Sequence, residues 1–230
     1  MFISSFLTTA ILAHLTTSSP TPFLETRQIT CAPVHIITAR GSTEPQGNGA
    51  LSSLVALIQK AHPSATTEAV VYPATLDNYS SSSSNGAAAL TAQLTKYVEA
   101  CPCSEIVLLG YSQGAQVIGD SLCGGGAVID DAFTEPIDRS IGDHGELTAI
   151  VQFGDPRFIK GLSFDKGNNT VSDGIFPRPA KISCDHYADK IHSYCDQGDP
   201  FCADGNELLV HVTYPERYNN AAVGFVNEKL

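Results

Sequence analysis

Apolar residues fall along this chain in two alternating rhythms. Short continuous runs, such as Val34-His35-Ile36-Ile37-Thr38-Ala39, Glu105-Ile106-Val107-Leu108-Leu109 and Leu147-Thr148-Ala149-Ile150-Val151-Gln152-Phe153, have strand length and read as strands buried on both faces. Residues 68–72 and 190–195 predict two further strands. Between the strands, apolar side chains recur at helical spacing. Leu51, Leu54, Val55 and Ile58 lie on one face of a helix that His62-Pro63 ends, and Leu90, Leu94, Tyr97, Val98 and Cys101 mark a second that ends at Cys101-Pro102. A third follows residue 112 and is closed by Cys123-Gly124-Gly125-Gly126, and residues 215–230 form a fourth with Phe225 and Val226 on its apolar side. Residues 77–86, with five consecutive serines, read as a solvated low-complexity loop; 127–145 read as a polar excursion and 157–189 as irregular. Strands alternating with helices predict an α/β fold whose parallel sheet is covered on both faces, with its active site beyond the carboxyl ends of the strands.

Composition narrows the function classes. A chain of 230 residues, 43% hydrophobic, supplies the core of one large domain. A formal charge of −11 argues against nucleic acid and anionic membrane surfaces as partners, because both would repel it. Residues 2–15 are apolar, too short to span a membrane, and followed by small polar residues, so 1–19 is expected to be a signal peptide. Residues 20–30 then form a pro-segment or linker with a candidate processing point at Arg27-Gln28, leaving 31–230 as the domain of a secreted protein. Seven cysteines in an oxidising compartment imply three bridges and one odd thiol. Neither Cys101-Pro102-Cys103 nor Cys184-Asp185-His186 has paired zinc-ligand spacing, so no metal is expected. Asn78-Tyr79-Ser80 and Asn168-Asn169-Thr170 are glycosylation sequons.

The chemistry centres on Gly110-Tyr111-Ser112-Gln113-Gly114, which joins a strand pattern to a helix pattern. In that context Ser112 sits on a tight elbow, with glycines where strand and helix nearly touch and with the unpaired N–H groups of a helix start beside it. A serine hydroxyl is a poor nucleophile without an imidazole base, and the imidazole needs a carboxylate to fix its tautomer. Two candidates for the acid follow apolar strands in the same tripeptide, Gly154-Asp155-Pro156 and Gly198-Asp199-Pro200. With the order serine, acid, histidine, Asp199 leaves only His211, whereas Asp155 leaves His186, His192 and His211. Asp199 is framed by Cys195 and Cys202; a bridge there stabilises by only about 2.5 kcal/mol, against more than about 4 for one from Cys31 to the Cys101 region, and makes better sense as a clamp on a carboxylate.

Three separated motifs, Gly110-Tyr111-Ser112-Gln113-Gly114, Ala39-Arg40-Gly41-Ser42-Thr43-Glu44 and Cys195-x3-Asp199-Pro200-x-Cys202 followed by His211, together resemble the fungal cutinase and acetylxylan esterase family over residues 31–230. The resemblance implies a three-layer α/β-hydrolase with a five-stranded parallel sheet and no lid. It implies a catalytic triad of Ser112, Asp199 and His211, an oxyanion hole from the backbone of Ser42 and Gln113 assisted by the Ser42 hydroxyl, no cofactor, and a monomer. It also implies bridges from Cys31 to Cys101 or Cys103, from Cys195 to Cys202, and from Cys123 to Cys184.

Two branches of that family compete for the substrate. Leu122-Cys123-Gly124-Gly125-Gly126, Phe153-Gly154-Asp155-Pro156-Arg157-Phe158 and Ser193-Tyr194-Cys195-Asp196 resemble acetylxylan esterases, which act on acetylated xylan of the plant cell wall. Leu208-Leu209-Val210, leading into His211, resembles the acyl-binding wall of cutinases, although a helix packed on the core explains it equally. The chain lacks the extra cysteine pair of acetylxylan esterases after Tyr72-Pro73-Ala74, so the loop bearing Asn78 and Tyr79 has its own shape. Asn78, Tyr79 and Leu208 are the expected substrate-binding residues, and acetylxylan esterase is the favoured reading over cutinase. A secreted host-interaction protein that keeps the fold without catalysis is the alternative of another class.

Overall fold

The computed structural model describes Met1 and residues 29–125, 133–143 and 147–230. The expected signal peptide, the Arg27-Gln28 junction and part of the 127–145 excursion lie outside the described residues. Strands β1 (Val34–Ala39), β2 (Thr66–Ala69), β3 (Glu105–Tyr111), β4 (Leu147–Phe153), β5 (Asp165–Lys166) and β6 (Ile191–Tyr194) form one sheet in the order β2-β1-β3-β4-β6-β5, and every pairing is parallel. The helices are α1 (Ser52–Ala61), α2 (Tyr79–Ala100), α3 (Gln113–Cys123), α4 (Ser140–Asp143), α5 (Leu208–Val212) and α6 (Tyr214–Lys229). Among the described residues no helix is long and apolar enough to cross a membrane.

The strands read as continuous apolar runs because each alternate side chain enters a different core. Val34 and Ile36 of β1, Val107 and Leu109 of β3, and Val151 and Phe153 of β4 pack with Leu54, Val55 and Ile58 of α1 and Phe225 and Val226 of α6. Their neighbours Ile37, Leu108 and Ile150 face the opposite layer, with Leu90 and Leu94 of α2 and Val117, Ile118 and Leu122 of α3. The architecture is the expected three-layer α/β sandwich.

Three details differ from the sequence reading. The sheet has six strands, not five; the extra one, β5, is two charged residues on the edge and leaves no periodic signal. The second strand lies at Thr66–Ala69 rather than 68–72. The serine-rich loop is the first part of α2. There Ser83 and Ser84 satisfy their hydroxyls on the Ser80 carbonyl, while Ser82 is buried and donates to Gln113 Oε1 at 3.0 Å. Packing against α3 thus overrides the weak helix propensity of serine.

All three expected bridges form: Cys31–Cys101, Cys123–Cys184 and Cys195–Cys202. Cys103 is the free, exposed thiol.

Candidate active site

The chain leaves β1 toward β2 on one side and leaves β3 toward β4 on the other, so a crevice opens at the carboxyl ends of these two central strands. Ser112 stands there, half-exposed, between β3 and α3. Its backbone has φ 55° and ψ −121°, a conformation non-glycine residues rarely adopt and one that costs about 1–3 kcal/mol. Its N–H donates to Phe153 O at 2.8 Å, which ties the elbow to β4. A Cβ on Gly114 would lie 1.9 Å from the Ala39 carbonyl oxygen, so only glycine lets the start of α3 close on the end of β1.

That close approach brings the two oxyanion candidates to one end of the sheet. Gln113 is the first residue of α3, where helix geometry leaves its N–H without an intrahelical acceptor. Its buried side chain accepts from Ser82 and donates to Thr75 O at 3.1 Å. Ser42 lies in a pinned loop. Glu44 accepts from the N–H groups of Gly41 and Ala50 at 2.7 and 2.8 Å, Thr43 N–H donates to Ala74 O at 2.7 Å, and Arg40 donates to the carbonyls of Glu44 and Tyr72.

Asp199 and His211 meet. His211 Nδ1 is 2.8 Å from Asp199 Oδ2, and Asp199 Oδ1 accepts from the N–H groups of Phe201 and Cys202 at 2.7 and 3.1 Å. Burial alone would raise the Asp199 pKa, but its hydrogen bond to His211, the histidine charge and the two amides outweigh it and hold the carboxyl below its usual range. The sheet register places the imidazole at the strand ends beside the elbow. Tyr111 pairs with Phe153, so Ser112 and Gly154 follow on neighbouring strands, and a Cβ on Gly154, at φ +63°, would lie 2.8 Å from the His211 ring.

Asp155 does not share this role. Its buried carboxyl accepts from Arg157 N–H at 2.9 Å, and desolvation raises its pKa against the pull of Arg178 and Arg157. Beside it Asp120 pairs with Arg178 at 2.9 Å and with Arg157 at 3.3 Å. The other histidine candidates lie elsewhere: His192 stacks on Phe225 at 3.6 Å, and His186 packs edge-on to Tyr187. A pocket of about 370 Å³ borders this charged group on the α3 side, and neither Ser112, Asp199 nor His211 lines it.

Of the residues expected to bind substrate, Tyr79 hydrogen-bonds Gln116, one turn beyond Ser112 on α3, at 2.9 Å, and packs against Phe176. Asn78 is exposed in the left-handed conformation before α2. Leu208 opens α5, the helix that carries His211; it and Leu209 are 58% and 73% exposed, so the core-packed alternative does not hold for them. Three aromatic neighbours of His211 escaped the sequence reading: Tyr111, whose hydroxyl donates to His211 O at 3.3 Å, Phe201 and Tyr214. Tyr111 and Phe201 sit inside the quoted motifs, but nothing in their spacing says which way they face. Among the described residues no group of three or more His, Cys, Asp or Glu side chains is placed to hold a metal ion.

Comparison with known proteins places this geometry in a lineage. The cutinase family profile matches residues 30–230. The chain belongs to the cutinase family. It is 37% identical over 225 residues to an acetylxylan esterase from Hypocrea jecorina, covering 95% of this chain and 74% of that protein. It is 34% identical to Cutinase 11 of Verticillium dahliae, covering 87% of this chain and 70% of the relative. Among solved structures, the catalytic core domain of acetyl xylan esterase from Trichoderma reesei superposes with a TM-score of 0.79 at 37% identity, covering 87% of this chain and all of that one. Both relatives and the solved structure are named as esterases or cutinases, and this family member carries the elbow, the buried Asp199–His211 couple and the three bridges just described.

Proposed function

We propose that the chain is a secreted serine esterase that removes acetyl groups from plant cell-wall xylan through an acyl-enzyme on Ser112. Ester hydrolysis rests on one observation above all, the buried 2.8 Å Asp199–His211 couple set beside the Ser112 elbow. Asp199 fixes the tautomer with the proton on Nδ1, leaving Nε2 to accept the Ser112 proton as the hydroxyl attacks the ester carbonyl. The tetrahedral oxyanion takes hydrogen bonds from the backbone N–H groups of Gln113 and Ser42 and from the Ser42 hydroxyl. His211 then protonates the leaving sugar oxygen, and water, activated by the same imidazole, hydrolyses the acetyl-enzyme.

The acetylxylan preference is supported by likeness to acetylxylan esterases, and export by the three disulfides. One observation favours cutin or another lipid ester instead: Leu208, Leu209 and Val212 expose apolar surface on the helix that bears His211. The deciding experiment compares acetate release from acetylated xylan with hydrolysis of cutin and long-chain esters. Acetate release with negligible long-chain activity supports the proposal; the reverse selects the lipid reading. Ser112→Ala should abolish both, and an unimpaired variant would refute the mechanism.

A further inference from the structure

Ser42 and Gln113, proposed above to hold the oxyanion, lie far apart in sequence; one follows β1 and the other opens α3. The segment Ala74-Thr75, ahead of α2, ties them together. On one side the Ala74 carbonyl accepts from the N–H of Thr43, the residue after Ser42, at 2.7 Å. On the other, Thr75 N–H donates to Ser82 Oγ at 3.1 Å, Ser82 Oγ donates to Gln113 Oε1 at 3.0 Å, and Gln113 Nε2 donates to Thr75 O at 3.1 Å. Thr75, Ser82 and Gln113 therefore close a ring in which each member gives one hydrogen bond and takes one.

Bonds that run head to tail polarise one another, and burial removes the alternative of bonding to water. Ser82 and Gln113 are 2% and 0% exposed. The backbone around the ring is strained as well. Thr43 and Ala74, the two residues joined at 2.7 Å, have φ 66° and 51°, in the same left-handed range as Ser112 at 55°. Such residues persist only where the surrounding contacts over-determine them, and they gather where a reaction is pre-organised.

We infer that Ser82 is a positioning residue for the oxyanion hole: through the Gln113 side chain and the Ala74-Thr75 segment it sets the spacing between the Gln113 and Ser42 amides. It acts through Gln113, and so rests on the esterase reading above. An oxyanion hole works because its donors are fixed before charge develops, so loosening it costs transition-state binding and spares the ground state.

The test compares Ser82→Ala with Ser83→Ala. Ser83 is buried on the same turn of α2 but donates to the Ser80 carbonyl at 3.0 Å instead of to Gln113. In Ser82→Ala, KM for p-nitrophenyl acetate should stay near the wild-type value while kcat falls about fivefold to thirtyfold, the scale of one lost buried hydrogen bond. The Ki of a trifluoromethyl ketone, whose hemiketal oxygen occupies the same hole, should rise by the same factor. Ser83→Ala should lower Tm and leave kcat and Ki unchanged. Gln113→Met breaks the ring from its other side and keeps the backbone N–H; it should reproduce the loss, and adding Ser82→Ala to it should cost nothing further in kcat. If Ser82→Ala fails to fold, the kcat and Ki of Gln113→Met decide alone. Additive losses in the double variant, an unmoved Ki, or a kcat that falls equally in Ser83→Ala would overturn the inference. If the wild-type protein hydrolyses no ester and forms no hemiketal, the esterase reading fails. Amide hydrogen exchange then decides what Ser82 does: faster exchange at Gln113 and Ser42 in Ser82→Ala than in Ser83→Ala supports its holding them, and equal exchange refutes it.

Discussion

His211 Nδ1 lies 2.8 Å from one oxygen of Asp199, and the amides of Phe201 and Cys202 hold the other. Asp155 carries the same Gly-Asp-Pro signature but faces Arg157 instead. Asp199→Asn should therefore lower kcat by about four orders of magnitude, the scale seen when a triad imidazole loses its tautomer. Asp155→Asn should lower Tm while leaving the specific activity of the folded protein close to wild type. Steady-state kinetics with p-nitrophenyl acetate, alongside thermal melts, checks both.

The bridges divide stability from activity. Chain-entropy arguments give Cys31–Cys101, which closes 70 residues, about 4 kcal/mol, and Cys195–Cys202, which closes 7, about 2.5 kcal/mol. Replacing Cys31 and Cys101 with alanine should cost more in denaturation midpoint. Replacing Cys195 and Cys202 should cost more in kcat, since Cys202 supplies an amide to Asp199.

Two half-buried groups pull stability in opposite directions with pH. Burial, aided by Lys166 and Lys229, lowers the His192 pKa from 6.5 to about 4, so the unfolded chain binds the extra proton between those values and stability rises with pH across that window. Burial raises the Asp165 pKa from 3.8 to about 6, so the folded protein binds the extra proton and stability falls as pH rises from about 4 to about 6. Relative to wild type, His192→Gln should look more stable at the acidic end than at neutral pH, and Asp165→Asn more stable at the neutral end. Melting curves of the three proteins across that range measure both slopes.

The exposed leucines of α5 bear on substrate length. Replacing Leu208 and Leu209 with serine should leave acetate release from acetylated xylan near wild type and reduce hydrolysis of long-chain esters, because the lost apolar area serves only an extended acyl chain. Equal losses on both substrates would show that α5 shapes the whole cleft.

The strands were legible because burial on both faces made them unbroken apolar runs, and the elbow because its glycines sit where backbones touch. The start of α2 was not. Its serines look solvated, and only the position of Gln113 and the Ser80 carbonyl in space shows where their hydroxyls go. Asp155 and Asp199 were equivalent in local sequence. What separates them is Arg178, brought from a later loop to join Arg157 beside one, and the histidine brought to the other by α5. Tyr214 lay three positions past His211, yet its contacts run back to Asp196 and Cys202, and no local pattern records such a return.

The backbone of Ser112 sits in a region that glycine occupies with ease and serine does not. Glycine at that position should make a tougher protein with no chemistry, by about 1 kcal/mol or more. Selection for heat resistance alone would therefore erode the nucleophile, and any programme to harden this protein has to screen for turnover at every round.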